Sequence, residues 1–301
     1  TCLTDLHIKN HHLVEIEVNG KEMIPCSNLV LAIGHSARDT FQMLLEKNIN
    51  MSAKPFALGV RIEHSQSMIN ESQYGMKSHA KLAPASYKLT YTTTSGRGVY
   101  SFCMCPGGYV VNASSEDGLL AINGMSNYNR ESENANSAIV VSVKPEDFGN
   151  NVLDGMAFQR KLERLAFLEG NGNIPIQCYR DFKENKVTAK LGTVKPIFKG
   201  NYQFSNLNHI LPRFVSESLM EGIEYFGTKI KGYNDGDSIM AGIESRTSSP
   251  VRIERDETLE SNIKGIYPCG EGSGYAGGIT TAAMDGMKVA EVIASRYQKC
   301  L

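Results

Sequence analysis

The residues with the most chemical content lie near the C-terminus. There Gly265-Ile266-Tyr267-Pro268-Cys269-Gly270-Glu271 runs into Gly272-Ser273-Gly274-Tyr275-Ala276-Gly277-Gly278-Ile279-Thr280. Gly272, Gly274 and Gly277 spell G-x-G-x-x-G, the spacing of a dinucleotide pyrophosphate loop. That assignment needs a second strand after the helix, with an acid about twenty positions on for the ribose. The helix expected over Ile279–Arg296 leaves no room for one before Leu301. A different contact fits better. The glycines and alanines between Gly272 and Ala283 let a flat group approach backbone, Glu271 can accept hydrogen bonds from hydroxyls, and the helix start offers free N–H groups and a positive dipole end. A sugar-alcohol chain leading to an electron-accepting ring would use all three. A turn whose glycines serve only sterics is the alternative.

Other residues invite chemistry singly or in pairs. Cys103-Met104-Cys105 sits in a strand-like run, where alternation places both thiols on one face for electron relay or a soft metal. No companion C-x-x-C or nearby His set completes a tetrahedral metal site, so no metal is expected, and burial in a core strand is the plainer use of such cysteines. Arg97, Tyr100 and Arg246 are candidates for orienting an anionic substrate, because arginine grips carboxylates through paired charge-assisted bonds. Arg246 stands out within Glu244-Ser245-Arg246-Thr247-Ser248-Ser249-Pro250, a polar cluster suited to a ligand loop. Surface charge and sheet packing are the simpler roles for all three.

These residues need elements to hold them. Asn28-Leu29-Val30-Leu31-Ala32-Ile33-Gly34 reads as a buried, parallel strand delivering the loop Gly34-His35-Ser36-Ala37-Arg38-Asp39. Asp39 is placed to cap a helix over Thr40–Lys47 with Phe41, Leu44 and Leu45 on one face. Upstream, Leu13, Ile16 and Val18 alternate with polar residues, and Asn19-Gly20 signals a hairpin. From Pro55 to about Val143 the pattern is strand-rich, with strands expected at Ala57–Ile62, Tyr87–Thr94, Val99–Met104, Tyr109–Val111, Leu119–Asn123 and Ala138–Val143. Helices are expected at Phe158–Glu169 and Val215–Phe226, and short strands at Ile239–Ile243 and Val251–Ile253. The layout expected is α/β: residues 1–54 and 251–301 from one partial α/β domain, and 55–250 a mixed α+β insertion, strand-rich in its first half.

Composition sets outer bounds. The 301 residues carry 31 Lys+Arg against 32 Asp+Glu, and 41% are hydrophobic. A formal charge of -1 gives no electrostatic case for nucleic acid or an anionic membrane as partner. No run approaches the ~18 consecutive apolar residues of a membrane span. Seven scattered cysteines do not form a disulfide framework, so a reducing, cytoplasmic setting is expected. The sequence opens at Thr1 within a strand-like pattern and reads as a cut chain.

The segment Gly265–Glu271, followed by Gly-Tyr-Ala-Gly-Gly-Ile and a small-residue helix, resembles the C-terminal FAD motif of glutathione-reductase-like flavoproteins. Leu29–Thr40 is similar to the same proteins' internal strand-Gly motif. More narrowly, Phe56–His64, Gln73-Tyr74-Gly75, Tyr87-Lys88-Leu89 and Arg97–Gly108 resemble the uncharacterised bacterial FAD-dependent (NAD/FAD-utilising) dehydrogenases across nearly the whole chain. The resemblance implies an oxidoreductase whose flavin performs the redox step. It implies cofactor contacts at Gly34, His35, Gly270, Glu271, Gly277, Gly278, Ile279 and Thr280, with Glu271 on the ribitol and the helix start at the flavin's pyrimidine edge. It also implies a first G-x-G-x-x-G segment that this sequence lacks, so that the fragment alone would bind FAD weakly and be inactive. The inserted domain would cover the flavin and take a small-molecule substrate, with NAD(P)H as the electron donor. The alternative from another class is a non-catalytic ligand-binding or interaction module on the same fold. Catalytic residues, substrate and oligomeric state are not legible.

Overall fold

A computed structural model describes residues 1–297 as a mixture of helices and several sheets. The chain divides into two compact units. The first takes Thr1–Phe56, Lys144–Phe158 and the chain from Ser248 onward; the second takes Ala57–Val143 and Gln159–Thr247.

The first unit opens with an antiparallel meander, Leu3–Lys9, His12–Val18 and Glu22–Pro25. Its first turn is the two-residue Asn10-His11, both at positive φ (50° and 60°), the combination that matches strand twist. The second is Asn19-Gly20-Lys21, with Asn19 and Gly20 at φ 56° and 67°. Leu29–Leu31 then pairs in parallel with Ile266–Pro268, joining residues more than 230 positions apart. Helix Arg38–Glu46 follows, burying Phe41 and Leu44 against Leu6, Leu13, Leu31 and Ile266. It starts two residues before the expected Thr40. Asp39 is therefore not its cap; it lies in the first turn, where its carboxylate accepts the Thr40 N–H at 2.8 Å and favours the helix's positive end. The long helix Ile279–Tyr297 closes the described chain.

The second unit is built on a seven-stranded sheet. In spatial order its strands are Tyr202–Phe204, Ile174–Cys178, Ile239–Glu244, Phe56–Ser65, Asn134–Val143, Gly98–Cys105 and Thr90–Thr92. Phe56–Ser65 and Asn134–Val143 lie at its centre and are buried almost throughout, polar Arg61, Glu63, His64 and Asn136 included. Helix Arg213–Gly227 packs on the sheet, burying Val215, Leu219, Ile223 and Phe226 at i, i+4, i+8 and i+11. A smaller sheet joins Ile122–Ser126, Gly108–Asn112 and Phe198–Lys199. The strand expected at Leu119–Asn123 begins only at Ile122, where burial starts to alternate; Leu120 and Ala121 are simply buried loop residues. The stretch expected over Tyr87–Thr94 contracts to Thr90–Thr92.

Candidate functional site

In the first unit two loops leave the ends of the paired parallel strands side by side. Cys269 N–H donates to Leu31 O at 3.1 Å and Gly272 N–H to Ile33 O at 3.1 Å, so the glycine-rich loop is tied to the strand carrying Gly34. A Cβ on Gly272 would fall 2.0 Å from Ile33 O, which explains glycine there. Ser273 bridges the same junction, accepting from Cys269 N–H at 3.1 Å and donating to Leu31 O at 3.2 Å.

Glu271 and His35 meet where the loops cross. The Glu271 carboxylate lies 2.6 Å from His35 Nδ1 and accepts the His35 backbone N–H at 3.2 Å. Burial pushes the Glu271 carboxyl upward, but the His35 ring hydrogen bond, the pair's mutual charge and the His35 and Ser249 backbone N–H groups override it, and its pKa is lowered. Glu271 is thus an anion whose side chain is still 25% exposed, with acceptor capacity left after these contacts. His35 Nε2 is buried and has no hydrogen-bond partner among the described residues. Such an orphan at a loop junction is the kind of group that a bound polar molecule satisfies. Lys54 adds a cation nearby; burial and the charge of Arg252 lower its pKa, and Glu271 opposes them.

A strut beneath the loop fixes its path. Gly270, at φ 78°, donates its N–H to Asp285 Oδ2 at 2.8 Å. The same carboxylate takes Arg255 in a two-pronged pair at 2.7 and 3.0 Å, both side chains 9% exposed. Arg255 also donates to Pro268 O at 2.7 Å and lies 3.6 Å from the centre of the Tyr275 ring. Beyond the strut the helix start is open. Gly277, Gly278, Ile279 and Thr280 are exposed, and a Cβ on either glycine would meet nothing within 4 Å. The first helical N–H groups therefore face free space, with the dipole's positive end behind them.

Gly34, His35, Gly270 and Glu271 thus share one junction, and the loop leaving it leads to the exposed Gly277–Thr280. An anionic acceptor, an orphaned buried imidazole nitrogen and an open helix start fit a polyol joined to a polar ring. Asp285, Arg255 and Tyr275 were invisible as a strut in the sequence. The one clue was a carboxylate within the small-residue run Thr281-Ala282-Ala283-Met284-Asp285-Gly286.

The candidates in the second unit have separate partners. Arg97 donates to Ser142 O at 3.2 Å and stacks 4.1 Å above the Phe214 ring. Tyr100 is half-buried against Ala57, Ala138 and Val140. Arg246 forks onto the fully buried Glu163 at 2.9 and 3.1 Å and also donates to Ser115 Oγ. None of the three lines the open cleft of about 810 Å³ formed by Ala80–Pro84 and Ser126–Arg130. Arg61 escaped the sequence reading: it is fully buried in the central strand, bonded to Glu244 at 2.8 Å, Asn136 at 2.6 Å and Asn123 at 3.0 Å. A single arginine in Phe56-Ala57-Leu58-Gly59-Val60-Arg61-Ile62 was the signal for it.

Among the described residues no three His, Cys, Asp or Glu side chains gather as a metal site, and no helix is long and apolar enough to cross a membrane.

Comparison with known proteins gives one family match and one long relative. Residues 55–247 match the family described as FAD-dependent protein, C-terminal domain-like. An uncharacterized protein of Clostridium beijerinckii is 54% identical over 301 residues, covering 98% of this chain and 56% of the relative. The chain thus spans little more than half the length of that relative. With its match extending over most of the sequence, the chain belongs to this FAD-dependent protein family.

Proposed function

We propose that this chain is the substrate-domain-bearing part of an FAD-dependent oxidoreductase of glutathione-reductase-like construction. The observation that carries the reading is the ionised Glu271, paired with His35 where two loops meet, on the loop that runs into the exposed start of helix Ile279–Tyr297. Glu271 accepts hydrogen bonds from the ribitol hydroxyls, and His35 fixes the carboxylate's orientation. The N–H groups of Ile279 and Thr280, backed by the helix dipole, stabilise negative charge at the pyrimidine edge, while the Gly278 N–H is taken by Thr281 Oγ1 at 3.1 Å. When bound, FAD supplies the two-electron chemistry.

The strand–loop–helix at Leu29–Leu31 and Arg38–Glu46 carries no G-x-G-x-x-G for a pyrophosphate. We assign that part of the cofactor site to the portion of the longer relative that this chain does not span. Helix Ile279–Tyr297 is in keeping with this: Ile279, Met284 and Met287 are 92%, 54% and 64% exposed. The inserted residues 55–250 supply the surface for a small, anionic substrate, NAD(P)H is the electron donor, and the setting is cytoplasmic. Anaerobic reduction of a protein of the relative's full length, with NADH and NADPH in parallel, tests the activity. Bleaching of the flavin's visible band by one of them is expected. A full-length protein that purifies without flavin, and takes none up, favours the binding-module reading instead.

A further inference from the structure

The second unit holds a pair of thiols that the flavin reading does not use. Strand Gly98–Cys105 runs antiparallel to Asn134–Val143, but Phe102 pairs with Ala138 and Cys105 with Asn136. Cys103 and Met104 therefore stand opposite Ser137 alone, which is a β-bulge. Cys103 occupies its kink at φ 45°, a conformation that a β-carbon disfavours. In a regular strand the Cα atoms of residues i and i+2 are about 6.6–6.8 Å apart, at the upper limit for a disulfide. The kink takes the chain off that extended path and re-aims Cys103, and Cys105 Sγ donates to the Cys103 backbone O at 3.3 Å. Both cysteines are free thiols, Cys103 exposed and Cys105 buried.

Beneath them lies a fixed cation. Arg61 Nη1 donates to Cys103 O at 3.2 Å and lies 3.7 Å from Cys105 Sγ. The same Nη1 also donates to Asn136 Oδ1 at 2.6 Å, and Nε and Nη2 are held by Glu244 and Asn123, so the guanidinium cannot swing away. The packing reaches backbone: a Cβ on Gly124 would fall 2.0 Å from Arg61 Nη1 and 2.1 Å from Asn136 Oδ1. Interaction with the neighbouring Cys105 thiol and the charge of Arg61 hold the Cys103 thiol well below its ordinary range, against burial. Interaction with Cys103 and burial push the Cys105 thiol up. An exposed thiolate thus sits next to a buried thiol, the division of labour between an attacking and a resolving cysteine.

We propose that Cys103 and Cys105 form a redox-active dithiol that exchanges with low-molecular-weight disulfides. Cys103 Sγ attacks one sulfur of the small disulfide; a mixed disulfide forms, the small molecule's S–S bond breaks, and the departing thiolate takes up a proton. Cys105 then loses its proton to water, and its sulfur attacks Cys103 Sγ, forming the protein disulfide and releasing the second small thiol, which recovers that proton. One dithiol and one small disulfide become one protein disulfide and two thiols. Nothing in this step rests on a bound flavin.

The probe is glutathione disulfide added to the reduced full chain, followed by alkylation and mass analysis of the tryptic peptide Gly98–Arg130. The expected product lacks two hydrogens and resists alkylation at both cysteines. Cys105→Ser should stall with glutathione on Cys103, and Cys103→Ser should react at Cys105 at least ~10-fold more slowly. The wild-type chain gives an independent reading if either variant fails to fold: at pH 6, iodoacetamide should modify Cys103 at least ~10-fold faster than the exposed Cys2. The proposal is overturned if both cysteines stay alkylatable in excess glutathione disulfide, if glutathione lands first on Cys105, or if Cys103 reacts no faster than Cys2.

Discussion

Replacing Asp285 by Asn tests whether the strut beneath the glycine-rich loop is the support described. Asp285 is 9% exposed and accepts three hydrogen bonds, two from Arg255 and one from Gly270 N–H. Breaking a buried ion pair from one side costs about 3–5 kcal/mol, because the surviving charge is left uncompensated. Here Arg255 keeps its bond to Pro268 O and its stacking on Tyr275, which places the loss at the lower end, about 3 kcal/mol. At about 2–4 °C per kcal/mol, the thermal midpoint should fall by about 6–12 °C. Calorimetry of the full chain at pH 7 reads it. The carboxyl's pKa is lowered in the folded state, where Arg255 and Gly270 N–H outweigh burial. Its contribution is therefore present above the unfolded value of about 4 and fades as pH falls through the folded one, so wild type and variant should converge only in acid. Arg213→Ala, which removes the exposed Arg213–Glu217 pair, should leave the midpoint unmoved. A shift below about 2 °C for Asp285→Asn would refute the strut.

The second unit offers further checks. Burial raises the Glu63 carboxyl to about 8, against hydrogen bonds from Ile197 N–H and Asn134. The folded state then holds a proton that the unfolded state releases near pH 4.5, so stability falls between about pH 4.5 and 8. Glu63→Gln should flatten that decline in urea titrations; equal slopes for both proteins contradict the assignment. His64 is fully buried and its pKa is lowered to about 4 by desolvation, with its ring against Tyr233 O at 2.7 Å. Its ring proton signals should show no titration near pH 6.5 in NMR, and an ordinary titration there would disprove the buried neutral imidazole. Gly59→Ala would bring a Cβ within 2.0 Å of Ile139 O between the two central strands, and should cost about 3 kcal/mol in urea unfolding. A silent substitution would mean the strands are not packed as described.

Legibility in the sequence followed the strength of the local signal. Helices Arg213–Gly227 and Ile279–Tyr297 begin within two residues of the expected starts, because each combines periodicity with a Pro or Gly boundary. Helix Gln66–Tyr74 went unread: it buries Ile69 as its one apolar residue, so no amphipathic stripe exists to find. Strand Ile174–Cys178 also went unread: it is buried at all five positions, so it shows no alternation, and it carries Pro175. The Gly34–His35 and Gly270–Thr280 loops were legible because glycine, a lone acid and a helix start leave a local pattern. Their strut was not, since Arg255 and Asp285 lie 30 residues apart and only packing joins them. Arg61 likewise acquires meaning only once Asn123, Asn136 and Glu244 arrive from three other strands.

The central claim is that Glu271 holds the polyol of a flavin at the junction with His35. Flavin content of the full-length protein, measured by absorbance after desalting and compared between wild type and Glu271→Gln, tests it directly. A charge-assisted hydrogen bond is worth about 1.5–3 kcal/mol, so losing it should weaken FAD retention by about 10- to 100-fold. Near-stoichiometric FAD in the wild type and depleted FAD in a folded Glu271→Gln protein is the predicted result. Undiminished flavin in that variant would contradict the account.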